Sequence, residues 1–280
     1  MLHDLYFLIK NITYLSKNKL PQKSRIVYQF VKLSVKNLLF RGFGAGGQKS
    51  EHILGYKIET FAYASLPFLF GEIFVRGEYT FETSSASPVI LDCGANIGMA
   101  TIFFKWLYPK SIVYAFEPDP KTFQLLKKNI EANKLTDVHL YNAALGEKDG
   151  TIDFYTNESN PGSLIMSTNS ERLKGQKIEV KMLSLADFIT KEQLATIDFM
   201  KMDIEGAEIA VLNDLYVKNT LHKINAFALE YHHKIGSARS RLGAFLSVLE
   251  HSGFEYQIDA HHLPLLTTGK FQDIIIRGYR

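Results

Sequence analysis

The stretch Asp92-Cys-Gly-Ala-Asn-Ile-Gly98 closes a short apolar run, Val89 to Leu91, and helix-compatible sequence follows at once. Glycine at 94 and 98 lets the backbone turn tightly and approach a ligand with no Cβ in the way. The G-x-N-x-G spacing departs from the pyrophosphate-binding fingerprint, in which the third glycine sits three after the second and a helix N-terminus faces phosphate. A carboxylate at Asp92 would repel such a group, so the pattern suits a ligand without phosphate there. A second apolar run ends at Ala115-Phe-Glu117-Pro-Asp119, and Glu117 lies 19 residues after Gly98. That is close to the offset of roughly 20 at which an acid accepts both hydroxyls of a cofactor ribose. A carboxylate takes two hydrogen bonds side by side, and it would repel a 2′-phosphate.

A second set of polar residues falls late in the chain. Asp203, Glu205 and Glu208 stand where a fourth strand ends and a helix begins. Ligands of parallel sheets bind beyond the carboxyl ends of the strands, which makes Asp203 the best acid for a reaction centre. Glu208 also reads as a first-turn acid favoured by the helix dipole. Lys201 shares a strand face with Asp203, where a buried ion pair fits as well as a catalytic one. The fifth strand delivers Ala228-Leu-Glu230-Tyr-His232-His233, with Glu230 and His232 on one face at the same end of the sheet. Histidine titrates near neutrality and is the natural base for drawing a proton from an alcohol; a structural or surface histidine accounts for His232 equally well. His233, His261 and His262 are weaker candidates. Two carboxylates and a histidine at strand ends could hold a divalent ion. No helical or short-range ligand spacing supports that, so no metal ligands are assigned.

These residues need a scaffold, and the chain from Pro88 onward supplies one. Short apolar strands alternate with helical stretches, the pattern of a parallel sheet covered by helices on both faces. Strands are expected at Val89 to Leu91, Ile112 to Phe116, Val138 to Asn142, Ile197 to Met202, Ile224 to Leu229, Phe254 to Ile258 and Phe271 to Ile276. Helices are expected at Ile97 to Leu107, Lys121 to Asn133, Ala207 to Leu215 and Ser240 to Ser252. The fold class is therefore α/β, a doubly wound, Rossmann-like sheet of seven strands. Between Gly150 and Leu183, alternation on both sides of Asn160-Pro-Gly162 indicates an inserted β-hairpin.

At this point the chain resembles the FkbM family of class I S-adenosylmethionine-dependent methyltransferases. The resemblance is carried by Val89 to Gly98, Ala115-Phe-Glu-Pro-Asp-Pro120, Asn142 to Gly150 and Ile197-Asp-Phe-Met-Lys-Met-Asp-Ile-Glu-Gly-Ala-Glu208, and spans about residues 70 to 235. It implies S-adenosylmethionine as cofactor. Asp92, Gly94, Asn96 and Gly98 would line its methionine and ribose portion, Glu117 would hold the ribose diol, and Asn142 and Ala143 would lie by the adenine. Glu78 and Tyr79 would close over the methionine tail, with a packing or hinge segment as the competing use. Asp203, Glu205, Glu230 and His232 are the catalytic candidates. The expected reaction is O-methylation of a hydroxyl on a small molecule or sugar, in a glycan or secondary metabolite. The competing readings are a non-catalytic cofactor-binding or membrane-docked scaffold and an RNA 2′-hydroxyl methyltransferase.

Composition narrows the rest. The 280 residues are 46% hydrophobic and 22% charged, inside the globular range. A single cysteine, Cys93, excludes an internal disulfide and fits a reducing, cytoplasmic setting. No apolar run approaches the roughly 20 residues that span a bilayer; Leu66 to Val75 is broken by Pro67, Gly71 and Glu72. The net charge of +3 is unevenly divided. Residues 1 to 41 carry eight basic side chains against Asp4, a net +7, so the remainder sums to −4. A slightly acidic body is a poor match for a nucleic acid. The chain is read as an N-terminal helical arm and cap segment, residues 1–87, before a methyltransferase domain, residues 88–280. Within the arm, residues 22 to 40 form a basic amphipathic helix suited to two uses. It could make peripheral contact with an anionic membrane surface, or pack its apolar face on the body or on a second copy. Gly42, Gly44 and Gly47 match a dinucleotide fingerprint by letter, but they follow no buried strand and read as a loop.

Overall fold

The protein was analysed as a computed structural model describing residues 15, 20–41, 49–156, 175–233, 241–260 and 272–280. The 42–47 glycine loop, the Asn160-Pro-Gly162 turn, His261 and His262 lie outside the described residues, as does the side chain of His233.

Seven strands form the central sheet: β3 (Val89–Cys93), β4 (Ile112–Phe116), β5 (Val138–Tyr141), β9 (Ile197–Met202), β10 (Ile224–His233), β11 (Glu255–Ala260) and β12 (Gln272–Tyr279). Their order is β11-β12-β10-β9-β3-β4-β5. β3 is parallel to β4 and to β9, pairing Asp92 with Ala115 and with Lys201, and β12 runs antiparallel to both its neighbours. The chain starts at β3, winds outward to β5, then returns to β9 on the other side of β3. The carboxyl ends of β3 and β9 thus flank the switch point where such sheets hold ligands. β3 is Val-Ile-Leu-Asp-Cys, buried from Ile90 onward, as a central strand covered on both faces requires.

Helices α3 (Met99–Leu107), α4 (Pro120–Ala132), α5 (Leu185–Lys191), α6 (Glu208–Val217) and α7 (Leu242–His251) cover the two faces. Local chemistry starts α4: the Asp119 side chain caps it by accepting from Thr122 N at 2.8 Å, and Pro120 occupies the first turn. The inserted hairpin is present as β7 (Gly150–Thr156) against β8 (Gln176–Ser184), antiparallel, and a short β6 (Ala144–Gly146) joins β8 in parallel.

The N-terminal portion contributes α1 (Lys23–Arg41), a hairpin of β1 (Lys49–Ile53) and β2 (Tyr56–Thr60), α2 (Ser65–Phe70) and a π-helix, Gly71–Arg76. Ile26, Phe30 and Leu33 of α1 are fully buried in the same core as Phe70, Phe74 and Phe103. The rings form a chain, Phe30 to Phe70 at 6.4 Å, Phe70 to Phe74 at 4.8 Å and Phe74 to Phe103 at 5.0 Å. Residues on both sides of position 87 therefore share one core. The polar side of α1 is engaged as well. Glu51, buried on β1, accepts from Lys32 at 3.0 Å, Lys36 at 2.7 Å and Tyr63 Oη at 2.8 Å. Burial alone would raise its pKa, but these bonds outweigh it and hold the carboxyl at about 2. Among the described residues no helix is long and apolar enough to cross a membrane.

Candidate active site

An open cleft lies at the carboxyl ends of β3, β4 and β9. Its floor is the turn after β3. Gly94 and Ala95 donate their backbone N–H groups to Phe116 O at 3.0 and 2.8 Å, and Asp203 N donates to Cys93 O at 3.0 Å. The β3 turn is thus stitched to both neighbouring strands. Gly94 has φ +86°, and a Cβ there would collide with the carbonyl oxygen of Asp203, so both conformation and space demand glycine.

Glu117 is buried at one wall of this cleft. Its Oε1 accepts from Asp119 N and its Oε2 from Asn96 N, both at 2.9 Å. Burial pushes its carboxyl up to about 8, against the two backbone N–H groups that favour the charge. Each oxygen is fixed by one bond and retains acceptor capacity toward the cleft. Ala143 lines the same wall. Asn142 does not; its side chain donates to Glu117 O at 2.9 Å and Pro118 O at 3.0 Å, shaping the turn behind Glu117.

Asp92 and Gly98 lie behind the lining. Asp92 is fully buried and accepts from Thr101 Oγ1 at 2.5 Å, while its Oδ1 stands 3.8 Å from Lys201 Nζ with no hydrogen-bond partner among the described residues. Burial raises its pKa, opposed by Lys201. Gly98 has φ +90° and leaves room for Leu126, whose Cδ1 would be 2.7 Å from an added Cβ. Asp92 thus supports the cleft through Lys201. That ammonium donates to Gly94 O at 2.5 Å and Cys93 O at 3.2 Å, and lies 3.8 Å from Asp203 Oδ2. Burial disfavours its charge, yet the Asp203 and Asp92 carboxylates outweigh burial and raise its pKa. The Tyr79 ring sits 5.7 Å from Nζ and lines the cleft. Glu78 beside it is not part of the lining; its carboxylate meets Arg76 at 3.3 Å and its carbonyl accepts from Arg277 at 3.2 Å. Cys93 is buried, and desolvation drives its thiol pKa upward, away from reactivity.

Asp203 and Glu205 line the opposite wall, and His232 approaches them from β10. His232 Nδ1 lies 2.7 Å from Glu208 Oε1, and Nε2 lies 3.1 Å from Glu205 Oε2 and 3.8 Å from Asp203 Oδ1. Burial would lower its pKa, but Glu208 and Glu205 outweigh burial and raise it well above the ordinary value. Both ring nitrogens face carboxylates, an arrangement that favours the charged imidazole over the free base its residue type suggests. Glu230 is half-buried on β10 opposite Ile275 and does not line the cleft. Leu69, Ile73 and Phe154 complete the apolar lining. Sequence reasoning did not single them out; the run Leu66 to Val75 showed only as an apolar stretch too short to span a bilayer.

Comparison with known proteins bears directly on this arrangement. The model of the family described as "Methyltransferase FkbM domain" matches residues 92–256. "Methyltransferase 1" of Beauveria bassiana (strain ARSEF 2860) is 29% identical over 165 residues, covering 53% of this chain and 66% of that protein. "2-O-methyltransferase NoeI" of Sinorhizobium fredii (strain NBRC 101917 / NGR234) is 32% identical over 158 residues, covering 51% of this chain and 63% of that protein. "Hexuronic acid methyltransferase AglP" of Haloferax volcanii is 27% identical over 152 residues, covering 54% and 59%. The chain thus spans between 59% and 66% of these relatives' own length. With the family match covering more than half of the chain and the strand order placing a cleft at the β3–β9 switch point, the chain belongs to the FkbM family of S-adenosylmethionine-dependent methyltransferases.

Proposed function

We propose that this enzyme is an O-methyltransferase that moves a methyl group from S-adenosylmethionine to a hydroxyl of a small molecule or sugar, within a glycan or secondary metabolite. The observation that carries this reading is the layout of one cleft. Glu117 stands at one wall, the Asp203–Glu205 pair at the other, and mainly small or apolar side chains line the space between.

The residues present suit the cofactor. Glu117 offers two fixed oxygens to a cis-diol, and Gly94 leaves backbone bare where a Cβ would collide. Ala143 and Leu145 provide an apolar slot for adenine, and Tyr79 and Lys201 border the region assigned to the methionine tail. Bound there, the cofactor supplies an electrophilic methyl carbon on a sulfonium. The chain's own residues position the acceptor and draw off its proton, since an alcohol is a weak nucleophile until that proton leaves. Asp203 and Glu205 are the carboxylates in reach of that task. His232, within reach of both carboxylates, positions them at a partly buried edge of the cleft. The names of relatives support a hydroxyl acceptor, one being a 2-O-methyltransferase and another acting on hexuronic acid.

The test is a cofactor-consumption screen over sugar, lipid and metabolite hydroxyls, with mass spectrometry locating the new methyl group. Methyl on oxygen is expected. Recovery on nitrogen or carbon, or no turnover across the panel while cofactor binds, would remove the proposal.

A further inference from the structure

The Asp203 and Glu205 side chains, from the turn between β9 and α6, converge with that of His232 from β10. One donor atom from each lies within 4.8 Å of the others, with Nε2 of His232 at 3.1 Å from Glu205 and 3.8 Å from Asp203. For an octahedral ion with bonds of ~2.1 Å, neighbouring donors stand ~3.0 Å apart and opposite ones ~4.2 Å, and the two separations from Nε2 lie within that range. A further observation lies outside the trio. Glu208 on α6 engages Nδ1 at 2.7 Å and is itself anchored by Gly206 N at 2.9 Å. With Nδ1 committed, Nε2 is the atom turned toward Asp203 and Glu205. A carboxylate on the far ring nitrogen is the means by which metal-binding imidazoles are oriented. Charge points the same way: Asp92, Asp203, Glu205 and Glu208 gather about two basic groups, Lys201 and His232.

We propose that Asp203, Glu205 and His232 hold a divalent cation at the rim of the cleft, and that the ion takes the acceptor hydroxyl as a further ligand. This deepens the O-methyltransfer reading and rests on it. Two carboxylates and one imidazole, with the remaining positions open to the cleft, suit Mg²⁺ or Mn²⁺. A hydroxyl bound to such an ion would be acidified, so that its proton passes to solvent water as the methyl group is transferred and the Asp203 and Glu205 carboxylates act through the ion they hold. Glu208 is then a positioning residue that fixes the ring.

The experiment titrates MnCl₂ into the full-length chain after EDTA treatment, by calorimetry and by the electron paramagnetic resonance of manganese. One bound ion per chain is expected. Glu205→Gln and His232→Asn each weaken manganese binding by more than about tenfold, and Glu208→Gln weakens it by about 10–100-fold, as loss of an orienting partner does. Circular dichroism checks that each variant folds; if His232→Asn does not, the near-isosteric Glu205→Gln carries the test. Absence of manganese binding at millimolar ion, or binding indifferent to Glu205→Gln, overturns the proposal. S-adenosylmethionine is titrated separately into the same preparation. Cofactor binding without manganese binding overturns the metal site alone, whereas failure to bind cofactor overturns the methyl-transfer reading beneath it.

Discussion

Glu117 links burial to binding most directly. With its carboxyl pushed up to about 8 in the free protein, it is largely protonated at neutral pH. Asp119 adds to that rise, and Lys201 and the N–H groups of Asp119 and Asn96 oppose it. In the proposed ribose contact, two hydroxyls donating to the carboxylate would favour its charged form, so cofactor binding is expected to expel a proton below pH 8. Cofactor affinity should therefore rise with pH up to about 8 and level off above it. The raised pKa also means that Glu117 contributes stability to the free protein below about pH 4.5, and that this is lost as pH climbs toward 8. Calorimetry in buffers of differing ionisation enthalpy measures the released proton; Glu117→Gln should bind more weakly and lose this part of the pH dependence. Gly94 is the second decisive residue. Gly94→Ala carries about 1–3 kcal/mol of strain from its positive φ alone, and the collision with Asp203 O adds to it. Loss of cofactor binding together with a lower urea midpoint is the expected outcome.

At the scale of elements, the β1–β2 hairpin docks onto α4 through side chains in place of a further strand. Asn129 accepts from Glu59 N at 2.7 Å and donates to Glu59 O at 3.0 Å and Ile97 O at 2.8 Å, while Asn133 repeats the pattern on Lys57. Two asparagines one helical turn apart thus satisfy the outer edge of β2 and tie it to the turn that precedes α3. Asn129 is fully buried, so Asn129→Ala should cost about 1–3 kcal/mol by leaving buried backbone groups unpaired. Asn133→Ala acts at an exposed edge and should cost less than about 1 kcal/mol, with urea unfolding reading both. The hairpin was hard to see in the chain because its turn is Leu54-Gly55, with φ +52° and +100°. Asn-Gly or Asp-Gly is the usual signal for such a turn, and leucine pays a steric cost to adopt it. The seven-strand rhythm, by contrast, was legible from Val89 onward, because each strand is a short apolar run bounded by turn residues. Two things differ: β12 runs antiparallel in a sheet expected to be parallel, and strand ends shift, with β10 running on to His233 where β12 pairs with it from Ala226 onward.

For the molecule as a whole, the uneven charge acquires a different meaning. The surplus on the arm invited a membrane reading, yet Lys32 and Lys36 meet Glu51 and Ile26, Phe30 and Leu33 of α1 lie in the shared core, while Val35, Leu38 and Leu39 stay exposed. Removal of residues 1–41 would expose Phe70 and Phe74, so aggregation or a markedly lower melting temperature is expected; an unchanged melting temperature would show that α1 is dispensable. Glu51 also sets an acid limit. Because its pKa is lowered to about 2, it contributes stability above its ordinary value of 4.5, and that contribution fades as pH falls toward 2. Glu51→Gln should flatten this part of the acid-unfolding curve.

The sequence by itself determined the sheet, the family and the residues around the β3 turn, because each depends on features close together along the chain. A glycine after a strand or an acid at a strand end acts through the strand, turn and helix that contain it. Tertiary structure alone decided the surroundings of His232, since the acids beside it, Glu205 and Glu208, lie on a different segment 24 to 27 positions away. It also decided that Asp92 stands behind the cleft and that Leu69, Ile73 and Phe154 form its walls. Protonation and cavity shape are set by what is near in space, and a histidine's pKa follows the charges that folding gathers around it.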